Sequence, residues 1–274
     1  MDAPAHTATR PLEGRTVVVT RPRAANDELT RLLEERGATV ILCPTIEVVE
    51  PDSWDALDAA IAGIADYHWI VFTSANGVRF FFRRFAKLCG EKSSLPDSLT
   101  VGAIGAATAK ALEDAGARAD VIARDSKAEG MLETIIERAG GREKLRGMRF
   151  LIPRARVARE VLPVELGRLG ARVDAVEAYQ TIKPQTDVES LLRLFQDGKV
   201  DVITFTSSST VSNFAALIGR KDLSELMKNT LVACIGPVTA ATAFEYGLTN
   251  IAQPEVYTAA ALVETIVRHQ TTSS

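Results

Sequence analysis

The chain has 274 residues, of which 46% are hydrophobic and 24% charged, with a formal net charge of −3. This composition excludes collagen-like, coiled-coil and disordered proteins. The acidic balance argues against a general nucleic-acid binder, which needs a basic surface to neutralise phosphates. The apolar runs are far shorter than the about 20 residues that span a bilayer. The N-terminal stretch lacks the apolar region of a signal peptide. We therefore expect a cytoplasmic protein without membrane or nucleic-acid partners.

The predicted elements alternate between strands and helices. In the first half of the chain, strands are predicted over 16–21, 39–43, 69–73 and 99–104. Apolar residues at helical spacing follow them, as in the stripe of Val78, Phe81, Phe82 and Phe85. Short apolar strands between amphipathic helices indicate parallel sheets covered on both faces. The second half, from Met148 to Val267, has the same pattern, so the fold class is α/β.

The two halves also match residue by residue. At an offset of 133 positions, Arg21 and Arg23 align with Arg154 and Arg156. The run 70–74 aligns with 203–207 at the same offset. An internal duplication that gives two similar lobes explains these matches. The alternative is that the two halves share the alternation of strands and helices without having arisen by duplication.

Two short β-prone segments interrupt the alternation. They span 44–50 and 178–183, occupy equivalent positions in the two halves, and each is followed by a proline. Two interpretations fit this pattern equally well. The segments could pair as a two-stranded linker between the lobes, or they could be separate loops at the sheet edges.

Candidate ligand-binding residues cluster where strands end, because ligands of parallel sheets bind beyond the carboxyl ends of strands. These hydroxyl, amide and arginine side chains are Arg21, Arg23, Thr73, Ser74, Asn76, Thr108, Arg154, Arg159, Ser207, Ser208 and Thr239. Capping of their own helices is the alternative for the serines and threonines, and surface charge is the alternative for the arginines. Together they suit a small polyanion bound between the lobes, since guanidinium groups match carboxylates.

Metal and nucleotide sites are not predicted. Cys43, Cys89 and Cys234 lie far apart, and the chain has only three histidines. This spacing predicts unpaired thiols in a reducing compartment and no metal cluster. The glycine turns do not match a dinucleotide fingerprint or a phosphate-binding loop, so no cofactor is expected.

The ordered motifs resemble the uroporphyrinogen-III synthase family over nearly the whole chain. They are VVVTRP, VFTSANGV, VGAIGAATAKALEDAG, LIPRA, EAYQTIKP, ITFTSSSTV and ACIGPVTAATAFEYG. The resemblance implies a crossed topology. Residues 1–44 plus 184–274 would form one lobe and residues 50–178 the other, with 44–50 and 178–184 as linker strands.

The resemblance also implies the reaction. A cofactor-independent lyase would cyclise hydroxymethylbilane, a linear tetrapyrrole with several carboxylates, to uroporphyrinogen III, with loss of water and inversion of ring D. Tyr179 matches a tyrosine that assists departure of the hydroxyl; simple packing in a linker strand is its alternative. Thr108, Thr239, Ser207 and Arg159 match substrate-contact positions.

The expected partners are the tetrapyrrole substrate and, transiently, the hydroxymethylbilane synthase that supplies it, and a monomer is expected. A non-catalytic two-lobed module that binds or senses polyanions remains an alternative function. An enzyme acting on another polycarboxylate or on a phosphorylated metabolite is a second alternative, because fold alone does not determine function.

Overall fold

The computed structural model describes residues 10–21, 28–125, 127–184 and 186–272. The chain divides into two compact units. The first, called here the discontinuous unit, comprises Met1–Glu47 and Ile182–Ser274. The second, the continuous unit, is Val48–Thr181.

Strands and helices alternate through both units. The elements at the start of the chain are β1 (Thr16–Val19), α1 (Glu28–Glu35), β2 (Thr39–Leu42) and β3 (Glu47–Val49). Those that follow are α2 (Asp55–Ala62), β4 (Trp69–Phe72), α3 (Ala75–Cys89), β5 (Thr100–Ala103), α4 (Ala106–Asp114), β6 (Val121–Ile122), α5 (Ala128–Ala139), β7 (Arg149–Ala155), α6 (Val161–Arg168) and β8 (Arg172–Ile182). The last are α7 (Val188–Gln196), β9 (Val202–Phe205), α8 (Ser208–Ile218), β10 (Leu231–Cys234), α9 (Pro237–Glu245), β11 (Ile251–Ala252) and α10 (Ala259–Thr272).

Each unit is built on one sheet. The discontinuous unit holds a five-stranded sheet in the order β11-β10-β9-β1-β2, and its neighbouring strands pair in parallel. The six-stranded sheet has the order β3-β8-β7-β4-β5-β6, and its pairs from β8 to β6 are parallel. The predicted α/β class with parallel sheets flanked by helices is confirmed.

Both faces of each sheet are covered by apolar side chains. In β4 all residues are buried; Ile70 and Phe72 join one apolar cluster, whereas Trp69 and Val71 join another on the opposite face. The alternation follows from the two-residue period of a strand. A strand buried on both sides needs a continuous apolar run, which is what the sequence has here.

The second β-prone segment is part of a longer strand. β8 runs without a break from Arg172 to Ile182, because no glycine or proline interrupts it. Its neighbour at the edge of the sheet is β3. The segment 178–183 was expected to be a separate short element, and the structure corrects that boundary.

The cysteines divide into two kinds. Cys43 and Cys234 are buried, and burial raises the pKa of their thiols to about 11 and about 12, respectively. Cys89, the last residue of α3, is exposed. Among the described residues there is no group of three or more His, Cys, Asp and Glu side chains placed to hold a metal ion. No described helix is long and apolar enough to cross a membrane.

Candidate active site

The turn after β4 positions the first candidate hydroxyl. Ser74 has extended backbone angles and caps α3, because its Oγ accepts a hydrogen bond of 3.0 Å from the Gly77 backbone N–H. Such a cap satisfies one of the free N–H groups at the start of a helix. Ser74 therefore has a structural role, and its second contact decides whether it has another.

That second contact is with Tyr179. The Tyr179 hydroxyl lies 3.0 Å from Ser74 Oγ, and either oxygen can donate. Tyr179 is 8% exposed, and its ring stacks on Phe80 with centroids 5.6 Å apart. The phenol is thus held by packing on its ring and by a hydrogen bond at its tip. The structure brings two of the predicted site residues into direct contact.

A β-bulge sets the direction of the Tyr179 side chain. In the pairing of β7 with β8, Arg154 lies opposite Glu177, but the next residue, Ala155, lies opposite Tyr179. Ala178 is the extra residue, and the buried side chains of Ala178 and Tyr179, although successive in sequence, both join one apolar cluster. Bulges re-aim side chains in this way and occur often beside active sites.

Gly77 allows α3 to begin close to β7. A Cβ atom at this position would lie 3.0 Å from the carbonyl oxygen of Pro153. Any larger residue would push the first turn of α3 away from the strand. Since that turn carries Ser74, the close approach helps to determine where the serine meets Tyr179.

Arg154 lies at the carboxyl end of β7, on the strand next to β4. Its side chain is only 11% exposed, and its Nη2 forms an ion pair with the carboxylate of Glu160. The other terminal nitrogen, Nη1, is buried and has no hydrogen-bond partner among the described residues. The hydrogen bond from Arg154 holds the pKa of Glu160 below its usual value. Only one of the two terminal nitrogens of this guanidinium therefore has a hydrogen-bond partner among the described residues.

The neighbouring arginines differ from Arg154. Arg156 donates to Glu177 at 3.0 Å and to Asp52 at 2.5 Å, so its guanidinium already contacts two carboxylates. Hydrogen bonds from Gln180 and then Arg156 lower the pKa of Asp52. Arg159 is exposed in the segment between β7 and α6.

The other candidates of the continuous unit lie along the same sheet edge. Thr73 is half-buried directly after β4. Asn76, in the first turn of α3, accepts a hydrogen bond of 3.3 Å from Arg79. Thr108 lies in the first turn of α4, is 3% exposed, and donates to the carbonyl of Ile104 at 3.0 Å. The Thr108 hydroxyl is thus engaged with its own helix.

The discontinuous unit has a corresponding set at the carboxyl edge of its sheet. Ser207 caps α8 in a capping box with Thr210, and its Oγ lies 2.9 Å from that of Ser209. Ser208 donates to the carbonyl of Val238 at 3.3 Å. Thr239 is buried in α9. The Ser207 hydroxyl thus caps its own helix, and the Ser208 hydroxyl contacts a carbonyl of the neighbouring helix.

The first strand end is described only in part. Thr20 follows β1, is fully buried, and donates to the carbonyl of Thr204 at 2.6 Å. Arg21 is half-buried beside it. Arg23 lies outside the described residues, so its expected role is not addressed by the structure.

Four residues of these edges were not singled out from the sequence. They are Gly77, Phe80, Glu160 and Tyr257. Phe80 lies off the buried stripe of α3, and an aromatic residue outside the apolar face was a usable signal for a second contact. Tyr257 packs its ring against the Gly236 backbone, where a Cβ would lie 3.1 Å from the ring, and remains 62% exposed. No local pattern distinguished Tyr257 or Glu160 from other surface residues.

Comparisons with known proteins assign the family. A family model described as "Uroporphyrinogen-III synthase HemD" matches residues 27–264. The uroporphyrinogen-III synthase of Synechococcus elongatus is 34% identical over 242 residues, which cover 87% of this chain and 89% of that protein. The enzyme of Chlorobaculum parvum is 26% identical over 244 residues, covering 89% and 94% of the two chains.

Solved structures agree on the fold. A mutant uroporphyrinogen III synthase from Thermus thermophilus superposes with a TM-score of 0.59 at 19% identity and covers 95% of this chain and all of its own. The Helicobacter pylori enzyme gives a TM-score of 0.53 at 17% identity, with 93% and 99% of the two chains covered. The extent of the family match and the 34% identity establish the resemblance seen in the sequence. The chain belongs to the uroporphyrinogen-III synthase family.

Proposed function

We propose that this protein cyclises hydroxymethylbilane to uroporphyrinogen III, and that Tyr179 acts on the leaving hydroxyl. The observation that carries the proposal is the contact between Tyr179 and Ser74 at the carboxyl edge of the six-stranded sheet, in a chain of this family. A buried phenol with a fixed orientation is placed to donate a proton, and positioned proton donors are a common source of rate enhancement.

The chemistry of the step is balanced without a cofactor. Tyr179 gives its phenolic proton to the departing hydroxyl, the carbon–oxygen bond breaks, and water and a cationic azafulvene form. The α-carbon of ring D that already carries the methylene bridge to ring C attacks this cation and gives a spiro intermediate. The bond from the spiro carbon to the bridge to ring C then breaks, and that bridge bonds to the free α-carbon of ring D. Loss of the proton on this α-carbon gives the type III macrocycle, and the proton restores the phenol. Holding the chain for this attack is a task of positioning and of charge stabilisation.

The remaining candidates are proposed as substrate contacts. Arg154 offers the strongest case, because its Nη1 is buried without an acceptor among the residues that the structure describes, and its fork suits a carboxylate. The others are Arg21, Arg23, Thr73, Ser74, Asn76, Thr108, Arg159, Ser207, Ser208 and Thr239. Many contacts of this kind distribute the binding energy, so we expect one truncation to cost about tenfold or less. The non-catalytic polyanion-binding module is not favoured, since the relatives from Synechococcus elongatus and Chlorobaculum parvum are named as synthases.

We further propose that the two units arose by duplication. Under the sequence offset of about 130 residues, β1 and β2 correspond to β7 and β8, and β4, β5 and β6 correspond to β9, β10 and β11. The order β2-β1-β9-β10-β11 then parallels β8-β7-β4-β5-β6. This supports a crossed arrangement, with segments 44–50 and 178–184 as the connections. A cytoplasmic location, a monomeric state and a transient contact with hydroxymethylbilane synthase remain proposals.

One assay tests the function. Hydroxymethylbilane is generated immediately before use, the products are oxidised to porphyrins, and the isomers are separated by chromatography. We expect mainly the type III isomer, formed faster than spontaneous closure gives type I. Only type I at the background rate, from a folded sample, would refute the proposed activity.

A further inference from the structure

The guanidinium of Arg154 is mostly buried, and only one of its two terminal nitrogens has a described hydrogen-bond partner. Nη2 contacts the Glu160 carboxylate, while Nη1 lacks a hydrogen-bond acceptor within the described parts of the chain. A buried N–H group without an acceptor is unfavourable, and more so when it is charged. A further acceptor at Nη1 would remove this unfavourable contribution.

Glu160 can leave Arg154 at little cost. Its side chain is 62% exposed, so the carboxylate remains close to water. It occupies the position before α6, but its side chain does not cap that helix. The contact of Glu160 with Arg154 is therefore not needed to complete a helix end.

We propose that Glu160 stands in for a substrate carboxylate: it pairs with Arg154 while the site is empty and is displaced when the tetrapyrrole binds. The inference rests on the proposed function, because it assumes that the ligand carries carboxylates. A substrate carboxylate that replaces Glu160 gains both nitrogens of the fork, which a bidentate pair uses and the present contact does not. Glu160 thereby competes with the substrate and lowers its apparent affinity.

The test is the substitution Glu160→Gln, which removes the charge and keeps the size. Binding of uroporphyrin III, an oxidised polycarboxylate analogue of the product, is followed by quenching of the fluorescence of Trp54 and Trp69. We expect Kd to fall about two- to fivefold, the range for loss of an exposed ion pair. KM for hydroxymethylbilane should fall by a similar factor. Most substitutions near a binding site weaken binding, so the predicted sign is itself discriminating.

Two comparisons separate the specific effect from general electrostatics. Glu165→Gln removes the same charge on α6, where Glu165 pairs with Arg168 rather than Arg154, and should leave Kd unchanged. The Arg154→Lys background keeps the positive charge without the planar fork. There, Glu160→Gln should raise the affinity for uroporphyrin III by less than half as much as it does beside Arg154. Thermal unfolding of each variant checks that it is folded.

Unchanged or weaker binding by a folded Glu160→Gln variant would overturn the inference. An equal gain from Glu165→Gln, or an undiminished gain in the Arg154→Lys background, would also overturn it. The binding ratio does not depend on turnover. If the wild-type protein forms only the type I isomer, the proposed function fails, while the ratio still reports whether Glu160 competes for Arg154.

Discussion

Replacement of Tyr179 by phenylalanine removes one oxygen and separates catalysis from packing. The ring is buried and stacked on Phe80, and both features survive in the variant. The lost group is the hydroxyl that lies 3.0 Å from Ser74 Oγ. Ser74 retains its bond to the Gly77 N–H, so the cap of α3 remains intact.

The two roles of the hydroxyl predict different magnitudes. If it only packs, the substitution removes one hydrogen bond, which is worth about 1 kcal/mol of unfolding free energy, and kcat stays within about threefold. If it protonates the leaving hydroxyl, kcat falls by about 10²- to 10⁴-fold. That range corresponds to about 3–5 kcal/mol of activation free energy. We expect the second outcome, with KM changed by less than about threefold.

The assay measures initial rates together with the ratio of isomers. As the enzymatic step slows, spontaneous closure competes, so the Tyr179→Phe variant should release an increasing share of type I product. Tyr67→Phe is the matched control. Tyr67 is also buried in the continuous unit, but its hydroxyl donates to Asp174 at 2.6 Å near the amino end of β8. We expect that variant to lose stability and keep kcat. A Tyr179→Phe variant with wild-type kcat would refute the proton-donor role.

Three further predictions address the surroundings of the site. Gly77→Ala should lower both Tm and kcat, because the added Cβ would lie 3.0 Å from a β7 carbonyl oxygen. Thermal unfolding and the isomer assay measure the two quantities, and unchanged values would show that α3 shifts freely. A thiol reagent should modify Cys89 rapidly in the native protein, and the two buried thiols of raised pKa only on unfolding; rapid modification of all three would contradict the burial. Hydrogen bonds from Arg84 are the chief reason that the pKa of Asp58 is lowered. The ion pair therefore stabilises the fold fully above the unfolded pKa of about 4, and this stabilisation is lost as the pH falls through the lower folded pKa. Asp58→Asn should therefore lower Tm at neutral pH and converge with the wild type in acid; a Tm difference independent of pH would refute this.

The local pattern of the chain was sufficient for the elements and for the helix caps. Apolar runs of strand length predicted β4 and β9, and Ser74 and Ser207 at their ends begin the following helices. Both serines follow a Phe-Thr pair in the sequence, yet only Ser74 has a described contact with a buried tyrosine. That contact depends on a strand about 100 residues away in the sequence, and local periodicity carries no information about such pairings.

The bulge opposite Arg154 shows where sequence reasoning stopped. Strict alternation along β8 would place Ala178 and Tyr179 on opposite faces, whereas both join the same apolar cluster. Pro153, inside β7 and one residue before the last regular pair at Arg154, was the available signal, since proline within a sheet favours edges and bulges. Its position did not reveal which residue of the partner strand would be displaced.

The same bulge links the proposed catalytic and binding groups. Arg154 lies at the last regular position of β7, and Tyr179 faces the residue directly after it. The backbone of Arg156 also donates to the carbonyl of Tyr179 at 3.0 Å, which fixes the strands beyond the shift. The guanidinium and the phenol are therefore held on adjacent strands of one sheet rather than on independent loops. Alternation along β7 puts Arg154 on the face opposite Ala155, which joins the apolar cluster of Tyr179. A substrate in contact with both groups would therefore pass over the carboxyl edge of the sheet, with the separation of the two strands fixed by their pairing.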